Sequence, residues 1–84
     1  MLWKEEFVSQ PVVGVLSAED IGQVIRHRRR ELGYTQKHFS SLMGISPRLL
    51  GEIERGNGRI GIQKVLNLVL ALDIECIFAM RDRW

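Results

Sequence analysis

"YTQKHFSSLMGISPRLLGEIERG", residues 34–56, packs two helix starts into one short stretch. Thr35 and Ser46 stand where those helices would begin. A hydroxyl at such a position accepts from a backbone N–H that the first helical turn leaves without a partner. Phe39, Leu42 and Met43 are the apolar positions of the first helix. Gly44 ends it, since glycine turns left-handed without the steric cost of a Cβ, and Ile45 anchors the turn in the core. Pro47 falls at the first position of the second helix, where its missing N–H costs nothing. Leu49, Leu50 and Ile53 face inward, and Gly56 closes the helix. The pattern is helix, tight glycine turn, helix, and it poses a choice between a plain helical hairpin and a surface made to lie in a DNA groove.

The flanks extend the helical reading. In "SAEDIGQVIRHRRRELG", residues 17–33, Ser17 is the N-cap and Asp20 sits at the third helical position, where a carboxylate suits the positive end of the helix dipole. Ile21, Val24, Ile25 and Leu32 share one face, Arg26, His27, Arg30 and Glu31 lie largely outside it, and Gly33 is the stop. "NGRIG", residues 57–61, is a loop, and a fourth helix runs from Ile62 to Leu72 with Ile62, Val65, Leu66, Val69 and Leu72 as its core face. The tail changes period. Ile74, Cys76, Phe78 and Met80 alternate with Glu75, Ile77, Ala79 and Arg81, the pattern of a strand. A lone strand is not stable, so this one needs a partner from residues 7–16 or from a second subunit, and the tail predicts a homodimer. Residues 1–16 show no helical period, and Pro11 favours an edge strand or an irregular arm. The expected organisation is therefore an extended or poorly ordered arm over 1–16, a helical domain over 17–73 and a strand and tail over 74–84.

Composition narrows the functional classes. With 84 residues and 45% hydrophobic content, the chain is one small globular domain rather than a disordered segment. A single cysteine excludes an intrachain disulfide, and its place in the alternation makes Cys76 a buried strand thiol rather than a nucleophile. His27 and His38 lack the paired spacing of metal ligands and read as surface residues. There is no paired-carboxylate set, no nucleophile triad and no phosphate-cradling glycine loop. The expectation is a non-enzyme without metal or cofactor. Nor is there a signal peptide or an apolar run long enough for a bilayer, which points to a cytoplasmic protein with no membrane partner. The net charge of +2 hides an asymmetry: residues 1–20 carry −3, residues 21–59 carry +5 and residues 60–84 balance. Positive charge thus concentrates around the opening stretch, as suits a polyanion. The "RHRRR" run, residues 26–30, reads more readily as a solvated helix face than as a direct DNA contact.

Together these residues resemble a known family. "IRHRRRELGYTQKHFSSLMGISPRLLGEIERG" is similar to the Cro/C1-type (XRE-like) helix-turn-helix pattern of bacterial and phage regulators. The shared marks are Arg29, Gly33, Thr35-Gln36, Gly44, Ser46, Ile53 and the Glu54-Arg55-Gly56 terminus, within residues 21–72. The longer run through "VLNLVLALDIE" looks like the HipB-type antitoxins, DNA-binding partners of HipA-type kinases in toxin–antitoxin operons. The resemblance implies a mainly α, four-to-five-helix domain whose third helix enters the major groove while the second crosses the backbone, with dimers spanning two half-sites.

It also assigns roles. Gln36 would bond a phosphate, while Ser46, Pro47, Arg48, Gly51 and Glu52 would present the face toward the bases. The planar fork of Arg48 matches the two acceptors of guanine, and Glu52 can accept from a cytosine amine but otherwise repels phosphate. Pro47 has no donor, and Gly51 offers only close backbone approach. Lys37, Asn57 and Arg59 are candidates for phosphate contacts, which position a protein without reading sequence. Arg29 and Glu54 are expected as an ion pair between the first helix and the end of the third. Ile74, Cys76, Phe78 and Met80 would form the dimer interface, and Trp84 in the tail "RDRW" is a candidate anchor for a partner. The implied function is a dimeric, nucleoid-associated bacterial repressor, the antitoxin of a HipA-like kinase toxin. The alternatives are a stand-alone phage-type or metabolic repressor, and a protein-interaction module on a helix-turn-helix scaffold with weak DNA reading.

Overall fold

In the structure, a computed structural model describing residues 14–78 and residue 80, side-chain caps set the helix boundaries. Four helices are present among the described residues: α1 (Ala18–Glu31), α2 (Gln36–Met43), α3 (Pro47–Glu54) and α4 (Ile62–Ala71). Ser17 Oγ accepts from the Asp20 N–H at 3.1 Å while Asp20 Oδ2 accepts from the Leu16 N–H at 2.9 Å, so α1 starts on a cap and a second bond that holds the residue before it. Thr35 Oγ1 accepts from the His38 N–H and Ser46 Oγ from the Leu49 N–H, each at 3.0 Å. Between α2 and α3, Gly44 takes a left-handed φ of 69°, which costs little without a Cβ.

The core lies where the four helices converge. Ile25 from α1, Phe39 from α2, Leu50 and Ile53 from α3, and Leu68, Val69 and Leu72 from α4 are buried, and Ile21, Tyr34, Met43, Ile45, Leu49, Ile60, Val65 and Ile74 pack around them. Each fully buried aliphatic or aromatic side chain contributes roughly 1.5–3 kcal/mol. One close approach fixes α1 against α3. A Cβ on Gly22 would lie 2.5 Å from the carbonyl oxygens of both Ile53 and Glu54, so only glycine lets the two backbones meet here. Arg28 Nε donates to the Leu72 carbonyl at 3.0 Å, tying α1 to the end of α4, where the helix dipole favours a cation.

Some inward assignments shift. Leu42 is 60% exposed. The buried side of α2 follows Phe39, Ser40 and the half-buried Met43 instead, with the Ser40 hydroxyl donating to the Lys37 carbonyl. On α4, Ile62 is exposed and Leu68 is buried, because the buried stripe of that helix runs through Leu68, Val69 and Leu72 while Ile62 sits at its open first turn. Leu32 is also largely exposed at the C-cap of α1.

The tail differs in kind. Asp73 ends α4 with a left-handed φ of 57°, and the Ile74 N–H returns to the Val69 carbonyl. Among the described residues 74–78 and 80 there is no strand ladder. Ile74 packs on the chain's own core, so the four alternating residues do not share one surface. Cys76 is exposed rather than a buried thiol, and Phe78 and Met80 are 88% and 94% exposed. The reason is physical: alternation buries a face only against a pairing edge, and the described part of one chain supplies none. Trp84 and nearly all of the 1–16 arm lie outside the described residues.

Candidate nucleic-acid interface

The position of α3 is set at its C-terminal end. Arg29 Nε donates to Glu54 Oε2 at 2.7 Å and Arg29 Nη2 to Glu54 Oε1 at 3.1 Å, a two-pronged contact from α1. The third guanidinium nitrogen, Nη1, donates to the Tyr34 carbonyl at 2.6 Å. Gln36 completes the set from α2, its Nε2 donating to Glu54 Oε1 at 3.0 Å. The side chains of Arg29 and Glu54 are only 6% and 2% exposed, so three helices are cross-braced through one carboxylate shielded from water.

The other end of α3 is open. Pro47 and Arg48 are exposed in its first turn, and Glu52 is half-buried one turn further on. Residues four apart share a helical face, yet Arg48 and Glu52 form no ion pair with each other or with any other described residue. Ser46 is exposed, and although its Oγ accepts the capping bond from the Leu49 N–H its own O–H stays available to donate. Gly51 is not open to a close approach, because it is buried beneath the Arg55 guanidinium, whose Nη1 would stand 3.1 Å from a Cβ at that position. Gln36 spends one amide hydrogen on Glu54, and the second is left for an acceptor outside the chain. Lys37 is exposed in the first turn of α2. Asn57 Oδ1 accepts from the Arg59 N–H at 3.0 Å, which stiffens the loop carrying both residues. Asn57 faces a different hollow, lined also by Ala18, Ile21, Ile60 and Val65, so the loop residues do not join the Gln36 cluster.

Two arginines emerge that the sequence reading did not single out as contacts. Arg26 and Arg55 line one notch with Gln36, Gly51 and Glu54, and neither has an ion-pair partner among the described residues. Two free guanidinium groups around an amide at a helix start suit a phosphate oxygen. The available signal was spacing: Arg26 stands three residues before Arg29 and so shares its side of α1. In the rest of the "RHRRR" run only His27 and Arg30 are exposed, because Arg28 reaches both Glu31 and the Leu72 carbonyl and Arg29 is buried against Glu54, so the run is not one solvated face.

Comparison with known proteins places this geometry. A helix-turn-helix family model matches residues 25–77. The protein YazB of Bacillus subtilis (strain 168), described as an uncharacterized HTH-type transcriptional regulator, is 52% identical over 42 residues, covering 50% of this chain and 61% of YazB. The match thus spans about three-fifths of that relative. The restriction-modification controller protein C.AhdI from Aeromonas hydrophila is 33% identical, with a TM-score of 0.60 over 69% of this chain and 88% of its own. HipB in the HipB-O4 20mer complex superposes at a TM-score of 0.73 with 13% identity, over 84% of this chain and 100% of that one. A chain of the HipA-HipB-O2-O3 complex gives 0.74 at the same identity and coverage. At that identity the likeness is one of fold.

Proposed function

The chain belongs to the Cro/C1-type helix-turn-helix family of transcriptional regulators, and from that premise we propose that it is a dimeric DNA-binding repressor, the antitoxin of a HipA-like kinase toxin, controlling its own operon. The observation that carries the DNA-binding part is the contrast within α3, braced at Glu54 and open at Pro47-Arg48, together with the notch at the braced end where Arg26 and Arg55, which have no ion pair among the described residues, flank Gln36. In this reading α3 enters the major groove. Gln36, Arg26, Arg55, Lys37, Asn57 and Arg59 meet phosphates, and Arg48 and Glu52 meet bases. The antitoxin part is supported by the fold shared with HipB and with a chain of the HipA-HipB-O2-O3 complex.

The test is a mobility-shift titration of the protein on the duplex upstream of its own gene against a random duplex at physiological salt. A clear preference for the upstream duplex is expected, and equal affinity for both sinks the repressor reading. A HipA-like kinase reading frame beside the gene, and stable capture of its purified product by this protein, are expected, and their absence removes the toxin partner. A stand-alone repressor is the second reading, favoured by the likeness to a controller protein and to an HTH-type regulator. The donor-poor α3 face keeps the interaction-module reading, for which binding would weaken steeply with salt and show no sequence preference.

The dimer rests on the exposed Phe78 and Met80 beyond a tail anchored at Ile74. Sedimentation at micromolar concentration is expected to give a dimer for the wild type and a monomer for Phe78→Asp. A wild-type monomer, or a Phe78→Asp dimer, removes the C-terminal interface.

A further inference from the structure

Glu52 is a strange occupant for a helix face turned toward DNA. It sits on the same face of α3 as Arg48, four residues on, and among the described residues its carboxylate has neither an ion pair nor a hydrogen bond. Glu54, two residues later, is buried with three donors around it and serves the fold. Glu52 has no such structural duty. An unpaired carboxylate brought among phosphates is repelled by every duplex alike, so it opposes non-specific binding in proportion to its closeness. The repulsion is offset only where a base edge presents a hydrogen-bond donor.

In the major groove the donors are the amino groups of cytosine and adenine, and the adenine amine stands beside the acceptor N7, which would face the same carboxylate. Cytosine carries no acceptor on its own major-groove edge, its amine lying beside only the O6 of the paired guanine, so it is the base a lone carboxylate tolerates best. Arg48, none of whose five donors is committed among the described residues, selects guanine by the same logic, because guanine pairs two acceptors side by side.

We propose that Glu52 is the specificity-determining residue of α3, acting chiefly by exclusion. It penalises every duplex except one that places a cytosine amino group next to the guanine read by Arg48. The idea rests on the DNA-binding reading above and deepens it by naming the base step that the helix accepts. It also explains how a face with one cationic side chain can discriminate: the penalty on wrong sequences does the work that extra donors would do elsewhere.

The experiment selects duplexes from a library with a randomised centre, using wild type, Glu52→Gln and Arg48→Ala. Affinities for the selected duplex, its single-base variants and a random duplex are then measured at several salt concentrations, with thermal melts confirming that each variant is folded. For the wild type, replacing the cytosine is expected to cost roughly 5- to 150-fold. Glu52→Gln is expected to lose that preference or move it to adenine, while binding the random duplex about two- to tenfold more tightly at low salt, a gain that screening erodes. The two changes run in opposite directions, which mere loss of a contact cannot produce. A wild type that discriminates, with a Glu52→Gln variant keeping the same base preferences and the same random-duplex affinity, overturns this proposal and leaves the repressor reading standing. A wild type with no preference over random duplex overturns both.

Discussion

From Pro47 to Glu52 the outward side of α3 carries one guanidinium, one carboxylate and a proline ring, and neither charge is paired among the described residues. Two residues further on, Ile53 is in the core and Glu54 is gripped by Arg29 and Gln36, while Gly22 brings the α1 backbone against their carbonyls. One short helix thus has an end that cannot be altered without disturbing the fold and, at the other, outward side chains that the fold does not engage, while Leu49 and Leu50 still pack inward. The lesson is a division of labour. Rigid placement comes from the buried end, so the open end is free to carry whatever chemistry a ligand requires, even an unpaired carboxylate.

The comparison breaks most violently at Glu54. Glu54→Ala strands a buried guanidinium and a glutamine amide, and is expected to cost about 3–5 kcal/mol. For a domain of this size that lowers Tm by more than about 10 °C, measured by circular dichroism. A fall below about 4 °C would mean that water already screens the pair. Gly22→Ala comes next. Its methyl group would stand 2.5 Å from two backbone carbonyl oxygens, which cannot rotate away as a side chain does. A loss of about 3 kcal/mol should appear as a lower urea midpoint, and an unchanged midpoint would show that α1 and α3 separate freely. Arg48→Ala sharpens the contrast from the other side. It should cost about 1–3 kcal/mol of DNA discrimination and leave the melting curve within about 0.5 kcal/mol of wild type. A large stability loss at Arg48 would erase the distinction between the two ends.

How much of this was readable beforehand depends on the kind of residue. The caps Ser17, Thr35 and Ser46 and the turn at Gly44 were legible because capping is local: a hydroxyl and a backbone N–H three residues away need nothing from the rest of the chain. Arg29 and Glu54 could be paired only through the family resemblance, since 25 residues separate them and no periodicity links them. Arg26 and Arg55 were hidden for the same reason. One looked like part of a solvated run and the other like a helix terminus until the fold put them on one notch. Gly22 gave no signal in the sequence, because the carbonyls it meets belong to α3. Gly51 was misread in the opposite sense, as an open approach, because the side chain that covers it is Arg55 at the next turn. The alternation of the tail was visible, but alternation says which residues agree with one another, not whether an edge exists to receive them. In the single chain, Cys76, Phe78 and Met80 therefore remain exposed.

By itself, then, the amino-acid sequence determined the helix starts, the turns between them, the concentration of positive charge and, through many spaced residues at once, the family. Those are properties of neighbours along the chain or of a pattern long enough to be distinctive. Only the tertiary structure decided which charges are spent and which are free. That outcome depends on distances between α1, α2 and α3, set by core packing and by the close approach at Gly22. Glu52 and Glu54 are the same residue type two positions apart, yet the fold engages one with three hydrogen bonds and leaves the other facing outward with none among the described residues.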